Sequence, residues 1–536
     1  MKTILRSKAV YRGHMDLPAA ADILVDGKKI VGVFPYGEAP SDGASIRDFG
    51  ERLIMPGFID AHTHFFSGAI EDSDYVCTEI ADSTSEEDCA EKIQKFAEAH
   101  PEMDVIRGSG WFLPKWKTTT LPTRASLDRV VPDRPVLLRC ADAHSYWLNS
   151  AALKLCGIRP DMEIESGSVG VLSDGTLSGM LIEPAAYEPA DKVYRTFPRK
   201  EYREIVTGFE KRAASLGITA VSEMFAADYN EENYSLFEMM DDLGREGALK
   251  TRLYVFTRLF GYRNFSKALA WREHFASDWF DIPGVKGFLD GVTETYTGLL
   301  LEPYTDMPDT CGYGVPLRPF DDVRESVIAA NKAGLAVRLH CIADGSVRMG
   351  LDLFEESAKA NGNKMYHNTI EHIENIDPAD VPRFSELHVI PSMQPAHLVL
   401  DENGKITHLG EERVKYEWPL KTMEDATHTL ALGTDFPVVD IDPFKTIYTA
   451  VTRKDYDKKP TGFNEWEKLS MLETLHGYTE NAARAYGKED MLGTLDVGKC
   501  ADIIALDQNF FTMPEEEIMN NHVIFTMCNG ETVYEM

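Results

Sequence analysis

The sequence has no long hydrophobic run and a shortage of positive charge, and each absence excludes a class of partner. No apolar segment approaches the roughly 20 residues that a membrane-spanning helix needs. The 55 lysines and arginines are outnumbered by 87 aspartates and glutamates, which gives a formal net charge of −32. Such a surface repels nucleic acid phosphates and anionic lipids. We therefore expect neither nucleic acid nor membrane as a partner.

The sequence also lacks closely spaced cysteines, because its eight cysteines are scattered without a C-x-x-C pair. Disulfide scaffolds are typical of short secreted chains, so buried reduced thiols are the better interpretation here. The first residues, MKTILRSKAVYRGHMDL, lack the apolar stretch of a signal peptide. The expected location is the cytoplasm. The expected partners are a small-molecule substrate and, as one option, a second copy of the chain in a homodimer.

Length and composition predict a globular protein of two or three structural units. The chain has 536 residues, 43% of them hydrophobic and 26% charged. Both ends read as short strands, with a hairpin predicted at 22–26 and 30–34. We expect residues 1–55 and 488–536 to form one small β-sandwich domain from both termini.

Between the two ends, residues 56–487 alternate apolar strand-like runs with helical patterns such as 321–333. Repetition of strand and helix implies a parallel sheet, and eight repeats fit a closed barrel. The fold class is therefore α/β, with a (β/α)8 TIM-like barrel. The eight candidate strands are 54–60, 218–223, 251–256, 285–289, 335–340, 368–372, 389–393 and 429–433.

The spacing between the first two candidate strands is far larger than one strand–helix unit requires. Residues 70–195 should therefore form an inserted subdomain on the loop after the first barrel strand. Loops after barrel strands lie on the catalytic face of such barrels. We expect the insertion to cover the site and to help select the substrate.

Residues that can bind a metal ion follow several of the predicted strands. His62 and His64 form a His-x-His pair, whose side chains share a face of extended chain and can point at one ion. His340, His372 and Asp435 follow other strands, and Lys286 lies inside one. A single such residue is often an ordinary polar group near a loop. Four of the chain's 15 histidines at strand ends indicate convergence on one site.

These motifs together resemble the amidohydrolase superfamily, and more closely its amidohydrolase-3 or YtcJ-like family. The resemblance rests on GFIDAHTH, strand-borne Lys286, His340, IEH at His372, GTDFP at Asp435 and LGTLDVGKCADIIALD near the C-terminus. It spans nearly the whole chain. It implies that the protein is a hydrolase with one or two divalent ions, expected to be Zn²⁺.

The resemblance also implies a role for each metal-site residue. His62, His64 and Asp435 would bind one metal, and His340 and His372 a second. Lys286 would be carboxylated and bridge the two, because an ammonium has no lone pair with which to bind a metal. The alternative is an unmodified, ion-paired lysine beside a single-metal site.

Hydrolysis at such a site needs a proton acceptor and a donor for the oxyanion. Asp435 is expected to take a proton from the attacking water and pass it to the leaving nitrogen. His144 and His397 are candidate oxyanion donors, although a structural role is equally open for each. The predicted substrate-binding residues are Trp111, His144, Asn149 and Gln394. Large aromatics such as Trp111 are also common in cores.

The predicted function is hydrolysis of a non-peptide carbon–nitrogen bond, such as that of an N-acyl or N-formyl amide. One alternative is a hydrolytic deaminase of the same superfamily, which typically needs a glutamate near His340. No glutamate is close to it in sequence. Another alternative is a non-catalytic regulatory homologue, which would be expected to have lost metal ligands.

Overall fold

The computed structural model describes residues 2–116, 118, 120–141, 145–162, 168–182, 184–224, 228–312, 320–400, 404–462 and 464–536. The chain divides into two compact units. One contains residues 1–65 and 210–536, and the other contains residues 66–209. The second unit includes residues 70–195, and the expectation that these form an insertion over the site stays a prediction.

The first unit contains a barrel of eight parallel strands that follow one another around the sheet in chain order. Its first and last strands are joined by backbone hydrogen bonds from Ala61 to Leu432 and from Asp435 to His62, of 3.1 and 2.7 Å. The predicted TIM-like barrel is thereby confirmed. The strands are Phe58–Asp60, Ile218–Glu223, Arg252–Arg258, Phe280–Phe288, Ala336–Cys341, Thr369–His372, Ile390–Met393 and Ala431–Leu432.

The first predicted strand, 54–60, is two strands that belong to different sheets. Leu53–Pro56 lies in the terminal sheet and Phe58–Asp60 in the barrel, with Gly57 between them. A Cβ atom on Gly57 would lie 2.3 Å from the Thr219 side chain, so only glycine fits. The prediction of a single strand was wrong because a continuous apolar run does not show where the chain passes from one sheet to another.

Helices pack around the barrel strands through apolar faces, as the sequence pattern predicts. In Asp344–Asn361 the buried side chains include Val347, Leu351 and Phe354, at helical spacing. Among the described residues, none of the helices has both the length and the apolar character required to cross a membrane. The α-helices of this unit are Arg199–Ser215, which continues from the other unit, and Glu231–Arg245, Ser266–Phe275, Phe320–Lys332, Asp344–Asn361, Val381–Glu386, Gly404–Arg413, Leu420–Thr427, Pro443–Thr452, Met471–Gly477 and Glu480–Ala485.

Strands from the two chain ends lie in one eight-stranded sheet, in the same compact unit as the barrel. The ends meet where Leu53–Pro56 pairs antiparallel with Ile503–Leu506, with Met55 opposite Ile504. The structure shows that these strands form one sheet. The expectation that they form a β-sandwich stays a prediction. The remaining strands are Lys2–Val10, Ala19–Asp26, Lys29–Pro35, Ala44–Asp48, Val523–Cys528 and Glu531–Glu535.

The unit of residues 66–209 has its own six-stranded sheet and its own hydrophobic core. Three tryptophans, Trp111, Trp116 and Trp147, pack together in that core with ring centres 5.5 to 6.1 Å apart. The strands are Val76–Cys77, Ile106–Trp111, Val136–Cys140, Ser145–Leu148, Ser168–Val171 and Leu177–Ile182. The helices that lie within the unit are Glu86–Ala99, Arg124–Val130, Ser150–Leu155 and Pro184–Arg195, and Phe65–Glu71 begins at its boundary.

Candidate metal centre

The His-x-His segment and the segment around Asp435 pair with each other at the point where the barrel closes. Asp435 N donates to His62 O and His64 N donates to Phe436 O, each at 2.7 Å. This pairing places two histidines from the first strand beside the carboxylate that follows the last strand. His62 Nε2 lies 3.3 Å and His64 Nε2 3.2 Å from Asp435 Oδ1.

Asp60 fixes the backbone on both sides of this pairing. Its Oδ1 accepts hydrogen bonds from His62 N at 3.1 Å and Thr434 N at 3.0 Å, and its Oδ2 accepts from Thr434 Oγ1 at 2.7 Å. Gly433 leaves space for the carboxylate, since a Cβ there would lie 2.7 Å from Asp60 Oδ1. Burial raises the pKa of Asp60 to about 7. The sequence contained this residue within GFIDAHTH, but gave no signal of its bracing role.

A buried chain of polar groups orients the His62 ring. His62 Nδ1 lies 2.7 Å from Glu371 Oε2, and the other oxygen of Glu371 accepts from Arg338 Nη1 at 3.1 Å and Thr369 Oγ1 at 2.7 Å. Burial would raise the pKa of Glu371, but Arg338 and His62 hold it well below its usual range. Because an ionised carboxylate can only accept, His62 carries its proton on Nδ1. Sequence analysis missed this role of Glu371. The signal for its partner was a charged residue, Arg338, inside an otherwise apolar strand.

The lone pair on His62 Nε2 therefore faces Asp435 Oδ1, an atom that also carries lone pairs. Burial and the nearby Lys286 lower the pKa of His62 to about 4, so its ring is neutral at pH 7. Burial would raise the pKa of Asp435, but His62 and His64 hold it well below its usual range. Within the described chain, neither His62 Nε2 nor Asp435 Oδ1 has a hydrogen-bond partner. Two buried acceptors at 3.3 Å without a proton between them repel each other unless a cation lies beside both.

The two other predicted histidine ligands also have acceptors for one ring nitrogen. His340 Nε2 lies 3.3 Å from Gly291 O, and His372 Nδ1 lies 2.9 Å from Gln394 Oε1. Burial lowers the pKa of His340 to about 3 and that of His372 well below its usual value. The rings of these two histidines have centres 4.4 Å apart. Each ring thus keeps one nitrogen lone pair for a ligand while its other nitrogen is oriented, the arrangement usual for metal-binding histidines.

Gln394 is fully buried, and its amide is engaged with His372 and with Ser392 O. The structure therefore places it behind a candidate ligand, rather than on a surface that a substrate can reach.

His397 approaches the opposite side of Asp435. Its Nε2 lies 3.8 Å from Asp435 Oδ2 and donates to Thr434 O at 3.2 Å. The structure thus groups His372, His397 and Asp435 as a second set of metal-ligand type. That set fits a metal less well than His62, His64 and Asp435, because His397 Nε2 already contacts a carbonyl oxygen and His372 Nδ1 an amide oxygen.

Lys286 lies in the same interior, on the fourth barrel strand. Its side chain is buried, and among the described residues its amine has no hydrogen-bond partner. Burial lowers the pKa of Lys286 to about 8. An unpartnered amine with a lowered pKa is unusual for a structural lysine, which normally forms an ion pair when it is buried.

The predicted residues of the insertion are placed differently. Trp111 is only 1% exposed within the tryptophan cluster of its own unit, and its indole nitrogen donates to Leu138 O. Asn149 is buried, caps the helix Ser150–Leu155 and accepts from Val136 N. Both side chains are thus used inside the insertion's core. His144 lies outside the described residues.

The donor set fits a divalent ion. Neutral imidazoles and an ionised carboxylate are the usual ligands of Zn²⁺ and similar ions, and the two orphaned buried acceptors of His62 and Asp435 lie where such an ion would satisfy both. The barrel, the histidines at its strand ends and the aspartate that follows its last strand together define a class, that of barrel proteins with a metal site at the carboxyl ends of the strands.

The sequence profile of the amidohydrolase family (Amidohydro_3) matches residues 46–534, so this chain belongs to that family. Membership implies a divalent metal. The chain is 28% identical to Protein LONG AFTER FAR-RED 3 of Arabidopsis thaliana, over 99% of this chain and 91% of that protein. It is 25% identical to Putative amidohydrolase YtcJ of Bacillus subtilis (93% and 92% covered) and 23% identical to N-substituted formamide deformylase of Arthrobacter pascens (96% and 95% covered).

Among solved structures, the chain is similar to an uncharacterized metal-dependent hydrolase from Pyrococcus furiosus. The TM-score is 0.77 and the identity 27%, with 95% of this chain and 99% of that chain covered.

Proposed function

We propose that this protein is a metal-dependent hydrolase that cleaves a non-peptide carbon–nitrogen bond of an amide, such as an N-acyl or N-formyl amide. One observation carries the proposal. His62 Nε2 and His64 Nε2 lie 3.3 and 3.2 Å from Asp435 Oδ1, and among the described residues neither His62 Nε2 nor Asp435 Oδ1 has a hydrogen-bond partner. A divalent ion is the occupant that this arrangement fits best, and we propose Zn²⁺.

The residues around the proposed metal position have different roles. When bound, the ion supplies activation of a water molecule and polarisation of the substrate carbonyl. Asp435 is ionised and buried beside the attack position, so it can accept the proton of the water and deliver it to the leaving nitrogen. His62 and His64 hold the site from the first strand. His340 and His372, with neutral rings, are the proposed ligands of a second ion.

We further propose that Lys286 is carboxylated. Its lowered pKa leaves part of the amine neutral near pH 7 to 8, with a lone pair free to attack carbon dioxide. The new N–C bond forms as a proton leaves the nitrogen, and the product is an anion with two oxygen ligands. Intact-protein mass spectrometry should show the added mass of one carbon dioxide at this lysine. Unmodified Lys286 in an active, metal-loaded enzyme would contradict the modification and leave the single-metal alternative.

The substrate class follows from the relatives and is a proposal for this chain. A protein named N-substituted formamide deformylase matches along 96% of the sequence, which supports small N-formyl and N-acyl amides as the first compounds to test. The substrate itself is to be found by screening.

The test combines metal analysis with an activity screen. We expect the purified protein to contain zinc or a similar ion, to lose activity with a chelator and to regain it when the ion is restored. N-formyl and N-acyl amines of increasing size should be assayed for release of the amine, with Asp435→Asn as the matched inactive control. Full activity in metal-free protein would refute the metal role. Release of ammonia from amino-substituted rings, without any amide cleavage, would favour the deaminase instead.

A further inference from the structure

Lys405 is a buried cation beside the candidate metal centre. It lies in the first turn of the helix Gly404–Arg413, and its side chain is only 2% exposed. Its ammonium forms an ion pair with Glu374, lies 3.6 Å from Glu294 and stacks 4.6 Å from the ring centre of Trp418. Burying a lysine costs stability that its ion pair often does not restore, so a buried pair by itself is weak support for a stabilising role.

Glu374 links Lys405 to His397. It follows His372 by two residues, and its carboxylate lies between the ammonium and the imidazole, with Oε1 3.9 Å from His397 Nδ1. Its backbone is fixed as well, because Trp418 N donates to Glu374 O at 2.9 Å. The carboxylate therefore has a fixed position from which to attract one nitrogen of the histidine ring.

The His397 ring is held on all sides. Trp418 lies edge-on to it at 5.9 Å between ring centres and 82° between planes, and His372 lies nearly parallel at 6.2 Å and 19°. With Nδ1 directed toward Glu374, Nε2 is directed toward Thr434 O and Asp435 Oδ2, at 3.2 and 3.8 Å. The ring cannot turn without losing contacts at both nitrogens.

We propose that Lys405 and Glu374 are positioning residues that act through His397 to orient Asp435, so that Asp435 presents Oδ1 to His62 and His64. The chain of alternating groups runs from Lys405 to Glu374, His397 and the Oδ2 side of Asp435. None of Lys405, Glu374 and His397 belongs to the proposed ligand set. The expected effect on turnover rests on the proposed function. The expected effect on metal affinity does not, so measuring that affinity tests the positioning role independently.

The experiment must distinguish two roles of the Lys405–Glu374 pair: orienting Asp435 and stabilising the fold. Lys405→Met leaves Glu374 buried without its cation, so it should lower both the melting temperature and the metal affinity. Lys405→Met combined with Glu374→Gln removes both charges and should recover most of the melting temperature. If the pair orients Asp435, the double variant should still bind Zn²⁺ about tenfold more weakly, an effect in the range seen when groups behind metal ligands are removed.

Further variants sharpen the readout. Lys405→Arg keeps the cation and should restore part of the affinity. Lys415→Met, which removes an exposed lysine paired with Glu412, is the matched control and should change nothing. On an amide that the wild type cleaves, kcat should fall in the double variant while KM changes little. A double variant that regains melting temperature and metal affinity together would overturn the inference. Absence of amide cleavage in the wild type would instead count against the proposed function, and the affinities would still decide this one.

Discussion

Replacing Glu371 with glutamine should weaken the metal site without changing any proposed ligand. Glu371 is completely buried and accepts three hydrogen bonds, from His62 Nδ1, Arg338 Nη1 and Thr369 Oγ1. Glutamine has nearly the same shape, but one of its two oxygens becomes an amide group that can only donate. If that group faces His62, the ring proton moves from Nδ1 to Nε2, and the nitrogen directed at Asp435 can no longer bind a metal.

Two magnitudes follow from this geometry. Loss of a group that orients a ligand typically lowers metal affinity 10- to 100-fold, or about 1.4 to 2.7 kcal/mol. Loss of the carboxylate also leaves the Arg338 guanidinium buried without its counter-charge, and breaking such a pair costs about 3–5 kcal/mol. Arg338 keeps its hydrogen bonds to Ala61 O and Ala485 O, which favours the lower end of that range.

The metal affinity and the free energy of unfolding must both be measured on the same protein. Chelator competition gives the zinc dissociation constant, and urea unfolding of the metal-free protein gives the free energy of unfolding. Glu210→Gln is a suitable control for the metal affinity, because Glu210 is also a fully buried carboxylate of this unit but accepts from two backbone amides, of Lys250 and Thr251. A Glu371→Gln protein with wild-type metal affinity would refute the orienting role, whatever its stability.

Three further predictions concern turnover, stability and pH. Asp435→Asn should retain the fold, since asparagine tolerates the left-handed backbone at this position (φ 61°), but lose nearly all turnover because an amide cannot accept the proton; near-normal kcat at equal metal content would remove Asp435 from the mechanism. Asp502→Asn should lower the free energy of unfolding by about 3–5 kcal/mol, because Asp502 holds the buried Arg252 through contacts of 2.8 and 2.9 Å; an unchanged urea midpoint would contradict this. Burial raises the pKa of Glu210 from 4.5 to about 8, so the folded state favours the protonated side chain. The stability that Glu210 contributes is therefore complete below pH 4.5 and is lost as the pH rises toward 8. Glu210→Gln should therefore gain up to about 3 kcal/mol relative to wild type between pH 5 and pH 8, and an equal difference at both values would refute the assignment.

The barrel was predictable from the sequence because its strands are continuous apolar runs, and those from the second to the eighth recur at the spacing of a strand–helix unit. Seven of the eight predicted runs overlap observed strands, and the first run, 54–60, is divided at Gly57 into two strands of different sheets. Metal-ligand candidates were found for a related reason. A histidine or aspartate directly after a buried strand has a fixed place on the barrel's carboxyl end, whatever the details of the loops.

The residues behind the ligands were not predictable in the same way. Glu371, Asp60 and Glu374 act across strands that are far apart in the chain, so no local spacing relates them to the histidines that they contact. Trp111 and Asn149 show the opposite problem. A large aromatic and an amide in an insertion look available for a ligand, yet the first fills that unit's core and the second caps one of its helices.

Backbone strain at the site indicates that its geometry is held by the surrounding barrel rather than by local preference. His372 and Asp435 both have left-handed backbone, with φ of 77° and 61°, a conformation that costs non-glycine residues on the order of 1–3 kcal/mol. Each is fixed by a hydrogen bond at its own position or the next, from Asp435 N to His62 O and from Ile373 N to Cys341 O. The strained conformations direct both side chains toward His62, with its ring centre 4.8 Å from that of His372. The pairing of neighbouring strands therefore fixes the backbone from which both side chains approach His62.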